Sequence, residues 1–136
     1  MISVLRMFSG NGVFIMGKRI LTVDDSKTMR DMVSFTLKSA GFEVVEAEDG
    51  AKALDLLAGT AVDAIITDIN MPNMDGVTLV QRLRAQPKFK ATPILILTTE
   101  GSDDKKTQGR NAGATGWIVK PFAPEKLLQV LNKVCP

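Results

Sequence analysis

The sequence contains no histidine and only one cysteine in 136 residues. Without histidine there is no histidine nucleophile, no histidine general base and no histidine-liganded metal. Any metal must therefore be held mainly by oxygen atoms. Cys135 has no second cysteine to bond, which excludes an internal disulfide and fits the reducing conditions of the cytoplasm. We therefore expect a cytoplasmic protein, with oxygen ligands at any metal site.

Long apolar runs and a strong net charge are also missing. No uninterrupted apolar run is long enough to cross a bilayer. The net charge of +2 is too small to indicate nucleic acid or an anionic membrane as a partner. Hydrophobic residues make up 45% of the chain and charged residues 24%, which is typical of one globular domain with a real core. We expect neither a nucleic-acid nor a membrane partner.

The first 16 residues do not share the pattern of the rest of the chain. Their apolar residues are interrupted by Ser9-Gly10-Asn11-Gly12. Arg6 is the only basic residue among them and no small-residue cleavage site follows, which argues against a secretory signal. We predict a loosely attached extension over residues 1–16 and a single domain over residues 17–136.

From residue 18 onward, short apolar runs alternate with amphipathic segments. The apolar runs predict five strands, over residues 19–23, 43–47, 64–67, 93–97 and 117–119. The amphipathic segments predict five helices, over residues 27–40, 51–58, 77–84 and 102–112 and from residue 124 onward. This alternation predicts an α/β fold with a parallel sheet covered on both faces.

The first predicted helix has apolar residues at three- and four-residue spacing, which indicates one buried face. Gly41 then ends the helix. The residues predicted on this face are Met29, Met32, Val33, Thr36, Leu37 and Ala40.

Polar side chains stand where the predicted strands end. They are Asp24 and Asp25 after the first strand, Asp68 after the third, Thr98 after the fourth and Lys120 after the fifth. Parallel strands present their carboxyl ends at one edge of a sheet, so these side chains should gather there. Three clustered carboxylates repel one another, and a divalent cation with a cationic neighbour relieves that repulsion. Mg²⁺ suits such an oxygen-rich site.

A carboxylate in this setting can act as a nucleophile toward a phosphoryl group and form an aspartyl phosphate. Catalysis of such a transfer is chiefly positioning and charge neutralisation, which Mg²⁺ and Lys120 can provide. The Thr98 hydroxyl can donate a hydrogen bond to the new phosphoryl oxygen. Singly, each residue has a simpler interpretation, because Asp25 or Ser26 can cap the first helix and Asp68 can cap a turn. The presence of all these residues at strand ends favours a functional site over the separate interpretations.

Several motifs in this order and spacing resemble those of the response-regulator receiver domains, from about residue 18 to residue 134. Within that family the sequence is most similar to the single-domain chemotaxis regulators. The resemblance implies a doubly wound, five-stranded parallel sheet in the order 2-1-3-4-5 with five helices. The motifs are Val23-Asp24-Asp25-Ser26, the run from Asp68 to Gly76, Leu97-Thr98-Thr99-Glu100, Gly113-Ala114-Thr115-Gly116-Trp117 and Val119-Lys120-Pro121-Phe122.

The resemblance also implies roles for individual residues. Asp68 would accept the phosphoryl group from a histidine kinase. Asp25 would hold Mg²⁺ directly and Asp24 through water, while the main-chain carbonyl of Asn70 would complete the metal site. On phosphorylation Thr98 would move toward the phosphoryl group. An aromatic residue would then swing inward, and here it is Trp117, where tyrosine or phenylalanine is more usual.

By the same resemblance we expect a monomeric signalling phosphoacceptor rather than an enzyme. The fourth helix, fifth strand and fifth helix would form the surface that partners recognise. No output domain follows Val134, so we expect a separate partner such as a flagellar motor switch component. A phosphorelay, in which a phosphotransfer protein takes the phosphoryl group onward, is the alternative.

Two other classes of protein with a similar sheet fit the sequence less well. A haloacid-dehalogenase-type phosphatase needs a second aspartate two residues after the nucleophile, and Asn70 cannot transfer a proton. A flavodoxin-like flavin protein needs a hydroxyl- and glycine-rich phosphate loop after the first strand. Asp24 and Asp25 there would repel a phosphate that has no metal.

Overall fold

A computed structural model of the chain describes residues 17–99 and 103–136. The extension predicted over residues 1–16 lies outside the described residues, as does Ser102, the predicted start of the fourth helix. Within the described ranges, no helix is both long enough and apolar enough to span a bilayer.

Strands and helices alternate along the chain as predicted. Where a predicted boundary can be compared with the observed one, the two differ by at most one residue. The strands are β1 Arg19–Val23, β2 Glu43–Ala47, β3 Ala64–Thr67, β4 Ile94–Thr98 and β5 Gly116–Val119. The helices are α1 Lys27–Ser39, α2 Gly50–Leu57, α3 Gly76–Arg84, α4 Asp103–Ala112 and α5 Pro124–Val134. A short 3₁₀ turn at Pro87–Phe89, which was not predicted, lies between α3 and β4.

The five strands form one parallel sheet in the order β2-β1-β3-β4-β5. At the carboxyl end of the sheet Val23 pairs with both Ala47 and Thr67, and Thr98 pairs with Val119. This register brings the ends of β1, β3, β4 and β5 to one edge. The predicted doubly wound α/β fold and its strand order are confirmed.

Each face of the sheet carries its own apolar core. On one face, Leu21, Ile65 and Ile96 pack against residues of α2 and α3. On the other face, Ile20, Ile66 and Leu95 pack against residues of α1 and α5. Successive strand residues point to opposite faces, so strands covered on both sides are apolar throughout. This explains why every residue of β3 and β4 is buried.

Helix α1 buries a different stripe from the one predicted. Val33 and Leu37 are buried as expected, but Met32 is 40% exposed and its place in the core is taken by Ser34. The Ser34 hydroxyl donates a 2.9 Å hydrogen bond to Glu46 on β2, which satisfies this buried polar group. The predicted core position of Met32 is therefore wrong, because a hydrogen bond to the edge strand sets the rotation of the helix.

Arg84, the last residue of α3, joins three separate segments through main-chain carbonyls. Its Nη1 donates to the carbonyls of Phe89 and Thr92 at 2.5 and 2.7 Å, and its Nε donates to that of Gly113 at 2.9 Å. A third Nη1 contact reaches the carbonyl of Lys90 at 3.3 Å. The guanidinium thus ties α3 to the 3₁₀ turn and to the end of α4.

We expect Arg84→Met to lower the free energy of unfolding by about 2–4 kcal/mol, because several partly buried carbonyls lose a charged donor. Urea unfolding followed by circular dichroism measures the change. Arg82→Met, at an exposed position of the same helix, is the matched control and should stay within about 0.5 kcal/mol of the parent. Equal losses in the two variants would contradict the role given to Arg84.

Candidate functional site

Three carboxylates lie together at the carboxyl edge of the sheet. Asp24 directly follows β1 and is buried, Asp25 is exposed, and Asp68 directly follows β3 and is partly buried. Each contributes one oxygen to a group in which all the oxygens lie within 4.8 Å of one another. The structure thus brings together three of the residues that the sequence placed at this edge.

Lys120 reaches this cluster from the end of β5. Its Nζ lies 3.5 Å from Asp24 Oδ2 and 3.7 Å from Asp68 Oδ1. The Lys120 side chain is only 9% exposed, so its charge is largely removed from water and depends on these carboxylates. Lys120 is therefore not simply a solvated charge on the surface. The main-chain N–H of Lys120 also donates to the carbonyl of Thr98 at 2.8 Å, which links it to β4.

Main-chain groups hold the carboxylates in place. The Ser26 N–H donates to Asp24 Oδ1 at 2.9 Å, and the Ile69 N–H donates to Asp68 Oδ1 at 2.8 Å. Ser26 itself caps α1, because its hydroxyl oxygen accepts from the Met29 N–H at 3.2 Å. Of the two caps considered for this helix, Ser26 is the correct one, and Asp25 is left to the cluster.

Burial raises the pKa of Asp68 above its usual value. The Ile69 N–H and the charge of Lys120 act in the opposite direction, while the charges of Asp24 and Asp25 raise the pKa further. A raised pKa in the folded state means that the folded protein holds this proton more tightly than the unfolded chain does. Stability therefore falls as the pH rises through the pKa of Asp68. At neutral pH an ionised Asp68 opposes folding.

The donor set of the cluster fits Mg²⁺. It consists of hard carboxylate oxygens, and the described residues contain no histidine that would favour a softer metal. A bound cation would offset both the burial of the Asp68 charge and its repulsion by Asp24 and Asp25, which together raise the pKa of Asp68. The cluster is therefore chemically suited to a divalent cation with oxygen ligands.

Two further predicted site residues lie at or shortly after the ends of strands at this edge of the sheet. Thr98 is completely buried at the end of β4, and Asn70 is exposed in the loop between β3 and α3. Gly76, which begins α3, lies so close to this loop that a Cβ there would sit 2.2 Å from the Asp68 carbonyl oxygen. The loop can therefore fold back over Asp68 only with glycine at this position.

Trp117 lies on β5 beside the middle of α4. A Cβ on Gly109 would sit 3.0 Å from the nearest atom of the indole ring, so the ring occupies the space that a side chain there would need. The indole N–H is buried and has no hydrogen-bond partner among the described residues. A buried donor without a partner is costly, which makes this ring position less favourable than its apolar packing alone would suggest.

Two supporting contacts could not be found from the sequence. Asn73, with a φ of 69°, donates from Nδ2 to Asp49 Oδ2 at 2.9 Å and so ties the β3–α3 loop to the start of α2. The Lys52 N–H and, secondarily, Asn73 lower the pKa of Asp49. On the other side of the cluster, Arg30 donates to the Asp24 carbonyl at 2.6 Å. The only sequence signal for the contact between Asn73 and Asp49 was that asparagine readily adopts the left-handed backbone conformation in turns.

Comparisons with known proteins agree with this geometry. Residues 20–132 match the response regulator receiver domain family. The chain is 43% identical over 118 residues to the chemotaxis protein CheY1 of Helicobacter pylori, covering 85% of this chain and 95% of that protein.

Two solved structures extend the comparison. The chemotaxis response regulator CheY4 of Vibrio cholerae superposes with a TM-score of 0.83 at 51% identity, covering 87% of this chain and 98% of the other. The receiver domain of a Pseudomonas aeruginosa sensor histidine kinase, with a magnesium ion coordinated in its active-site cleft, gives a TM-score of 0.82 at 28% identity. That match covers 88% of this chain and 98% of the other.

The burial of the Asp68 carboxylate and its repulsion by Asp24 and Asp25 predict that Asp68→Asn stabilises the protein at pH 7 in the absence of divalent cations. We expect a gain of the order of 1 kcal/mol, or about 3–5 °C in Tm. The gain should shrink as the pH is lowered through the raised pKa of Asp68, because the parent carboxyl is then neutral as well. Differential scanning calorimetry across that pH range measures both effects.

Asp55→Asn removes one carboxylate from an exposed position of α2 and serves as the charge-matched control. It should change the free energy of unfolding by no more than about 0.5 kcal/mol. A loss of stability in Asp68→Asn at pH 7 would contradict the cost assigned to burying an ionised Asp68 beside two other carboxylates.

Proposed function

The chain belongs to the response regulator receiver domain family, and on this basis we propose that Asp68 accepts a phosphoryl group from the phosphohistidine of a histidine kinase. The observation that carries the proposal is the position of Lys120, a buried cation within 4 Å of both Asp24 and Asp68. A carboxylate nucleophile with fixed positive charge beside it is suited to a transfer in which charge neutralisation provides most of the catalysis.

In the proposed step an Asp68 carboxylate oxygen attacks the phosphorus atom while the bond from phosphorus to the kinase imidazole breaks. The imidazole nitrogen keeps the electron pair of that bond and takes up a proton from water. The phosphoryl group, now on Asp68, brings negative charge into the cluster, and the Lys120 ammonium stabilises it. The receiver thus carries a signal and assists its own phosphorylation without turning over a separate substrate.

We propose that Asp24, Asp25, Asp68 and the main-chain carbonyl of Asn70 hold Mg²⁺, with Asp25 bound directly and Asp24 through water. When bound, the ion supplies positive charge that offsets the carboxylates and the phosphoryl oxygens. The support for this assignment is the close grouping of the three carboxylates. A magnesium ion in the related Pseudomonas receiver adds to it.

The phosphorylated state would be recognised at the surface formed by α4, β5 and α5. Thr98 stands at the end of β4 and would donate its hydroxyl to a phosphoryl oxygen, drawing the following segment toward Asp68. Helix α4 is polar and contains Gly109 in its interior, which weakens a helix by about 1 kcal/mol relative to alanine. It would therefore move before the core does and allow Trp117 to rotate.

A separate protein would bind this surface in the cytoplasm. A shallow cavity of about 210 Å³ lies between α4 and β5, lined by Lys106, Arg110 and Trp117 among others, so an acidic segment with an apolar anchor would fit it. The chemotaxis names of two of the relatives described above support a flagellar motor switch component as the partner. A phosphotransfer protein of a phosphorelay would use the Asp68 site instead.

We expect acetyl phosphate to add one phosphoryl group to the chain, and only when Mg²⁺ is present. Intact-mass spectrometry should show a single added phosphoryl group in the parent and none in Asp68→Asn. Asp75→Asn, in which the altered side chain caps α3 outside the cluster, is the control and should still be labelled. Labelling of Asp68→Asn to the same extent as the parent would exclude Asp68 as the acceptor.

We expect beryllofluoride, a phosphoryl mimic, to change the fluorescence of Trp117 in the presence of Mg²⁺. A hydrogen bond from Thr98 to a charged group is worth about 1.5–3 kcal/mol, which shifts a two-state equilibrium by roughly ten- to a hundredfold. Thr98→Ala should abolish the fluorescence change. Acetyl phosphate should still phosphorylate Asp68 in this variant. Thr107→Ala, at an exposed position of α4, should respond like the parent. A normal response in Thr98→Ala would rule out the coupling.

A further inference from the structure

Arg30 on α1 makes contacts that connect the acidic cluster to the edge of the sheet. Its Nη1 donates to the carbonyl oxygen of Asp24 at 2.6 Å, and its Nε donates to Glu46 Oε1 on β2 at 3.3 Å. The Arg30 side chain is only 14% exposed, so these are contacts of a largely buried guanidinium. The carbonyl it binds belongs to the peptide unit that joins Asp24 to Asp25.

The orientation of this peptide unit sets the direction in which the Asp25 side chain leaves the main chain. Asp24 is fixed independently, because its N–H donates to the Ala47 carbonyl at 3.2 Å and its carboxylate accepts from the Ser26 N–H. Asp25 is exposed, and nothing among its neighbours in the described residues is seen to hold its side chain. The Arg30 hydrogen bond to the Asp24 carbonyl therefore restrains the peptide between the two acids directly, beside the Ser26 bond that spans Asp25.

Glu46 keeps the Arg30 guanidinium in place and offsets its charge. The Glu46 carboxylate accepts from Arg30 with one oxygen and from the Ser34 hydroxyl with the other, at 2.9 Å. Ser34 is 4% exposed, so this three-residue chain is anchored in the interior of the α1–β2 contact. A guanidinium paired in this way can orient a carbonyl without acting as a free cation that competes with a metal.

We propose that Arg30, supported by Glu46 and Ser34, is a positioning residue for cation binding at the acidic cluster. This inference rests on the proposed function, since it assigns Arg30 a role in the Mg²⁺ site of that function. The side-chain contacts of Arg30 seen among the described residues are with the Asp24 carbonyl and Glu46, not with Asp68. Arg30 acts through the Asp24–Asp25 peptide, by keeping the Asp25 carboxylate turned toward Asp24 and Asp68.

Whether removal of the Arg30 side chain strengthens or weakens Mg²⁺ binding distinguishes a positioning role from a purely electrostatic one. Removing a positive charge close to an acidic site should strengthen Mg²⁺ binding if charge alone matters. Loss of a positioning contact should weaken it, by roughly tenfold for groups that orient metal ligands. Arg30→Met therefore has opposite expected outcomes under the two explanations.

The experiment measures Mg²⁺ binding to the full chain by isothermal titration calorimetry. We expect Arg30→Met to raise the Kd for Mg²⁺ by about tenfold. Lys27→Met is the matched control, since Lys27 lies about one turn earlier on α1, has an exposed side chain and pairs with Asp31 at 2.7 Å. It removes the same charge and should leave the Kd unchanged or slightly lower. A Kd for Arg30→Met equal to or below that of the parent would overturn the proposal.

A second measurement distinguishes positioning from general damage to the fold. With acetyl phosphate as donor, Arg30→Met should need about ten times more Mg²⁺ for half-maximal labelling of Asp68 but reach the parent rate at saturation. A reduced rate at saturating Mg²⁺ would count against a positioning role. If Arg30→Met does not fold, Ser34→Ala takes its place, because it removes only the hydroxyl that fixes Glu46 and changes no charge. A Kd raised about threefold is then expected, and an unchanged Kd overturns the proposal.

Mg²⁺ binding and labelling of the parent chain distinguish a failure of the proposed function from a failure of the role given to Arg30. If the parent fails to bind Mg²⁺ or to label at Asp68, the proposed function is wrong and this inference falls with it. If the parent binds and labels normally while Arg30→Met behaves identically, the function stands and only the role of Arg30 is overturned.

Discussion

The attraction between Lys120 and the carboxylates of Asp24 and Asp68 is the interaction on which the site depends. The Lys120 side chain is only 9% exposed, and its Nζ lies 3.5 and 3.7 Å from these carboxylates, so a group with little access to water is paired by them. The three residues come from the ends of β5, β1 and β3, so the parallel sheet supplies the geometry. One ammonium cannot offset three carboxylates, which leaves the cluster with an excess of negative charge that suits a cation.

The rigidity of the surrounding structure is unevenly distributed. The β1 side of the cluster is fixed by hydrogen bonds from α1, and the loop after Asp68 is fixed to α2 through Asn73 and Asp49. Helix α4, by contrast, is polar and carries a glycine in its interior. If Asp68 is phosphorylated as proposed, the hydrogen bonds on these two sides would resist a rearrangement more than α4 would. The structural change would then be largest on the α4 side of the domain.

Much of the fold and the main members of the cluster could be predicted from the sequence, because strand ends and apolar runs are local features. The supporting contacts could not be. Arg84 and Arg30 act on main-chain carbonyls far from them in sequence, and such acceptors have no sequence pattern. The rotation of α1 was missed because Met32 and Ser34 are both compatible with the helical spacing. Only the contact of Ser34 with Glu46 decides between them.

The fit between Gly109 and Trp117 constrains how this domain can change in evolution. The indole fills the space left by the missing side chain, and a Cβ at residue 109 would lie 3.0 Å from the ring and 2.8 Å from Ile96. An alanine there would press on both the indole and Ile96, whereas a smaller aromatic at residue 117 beside glycine leaves a void. A protein with only one of these two substitutions would thus be poorly packed. We expect these two positions to covary among homologues, with large rings at residue 117 accompanied by glycine at residue 109.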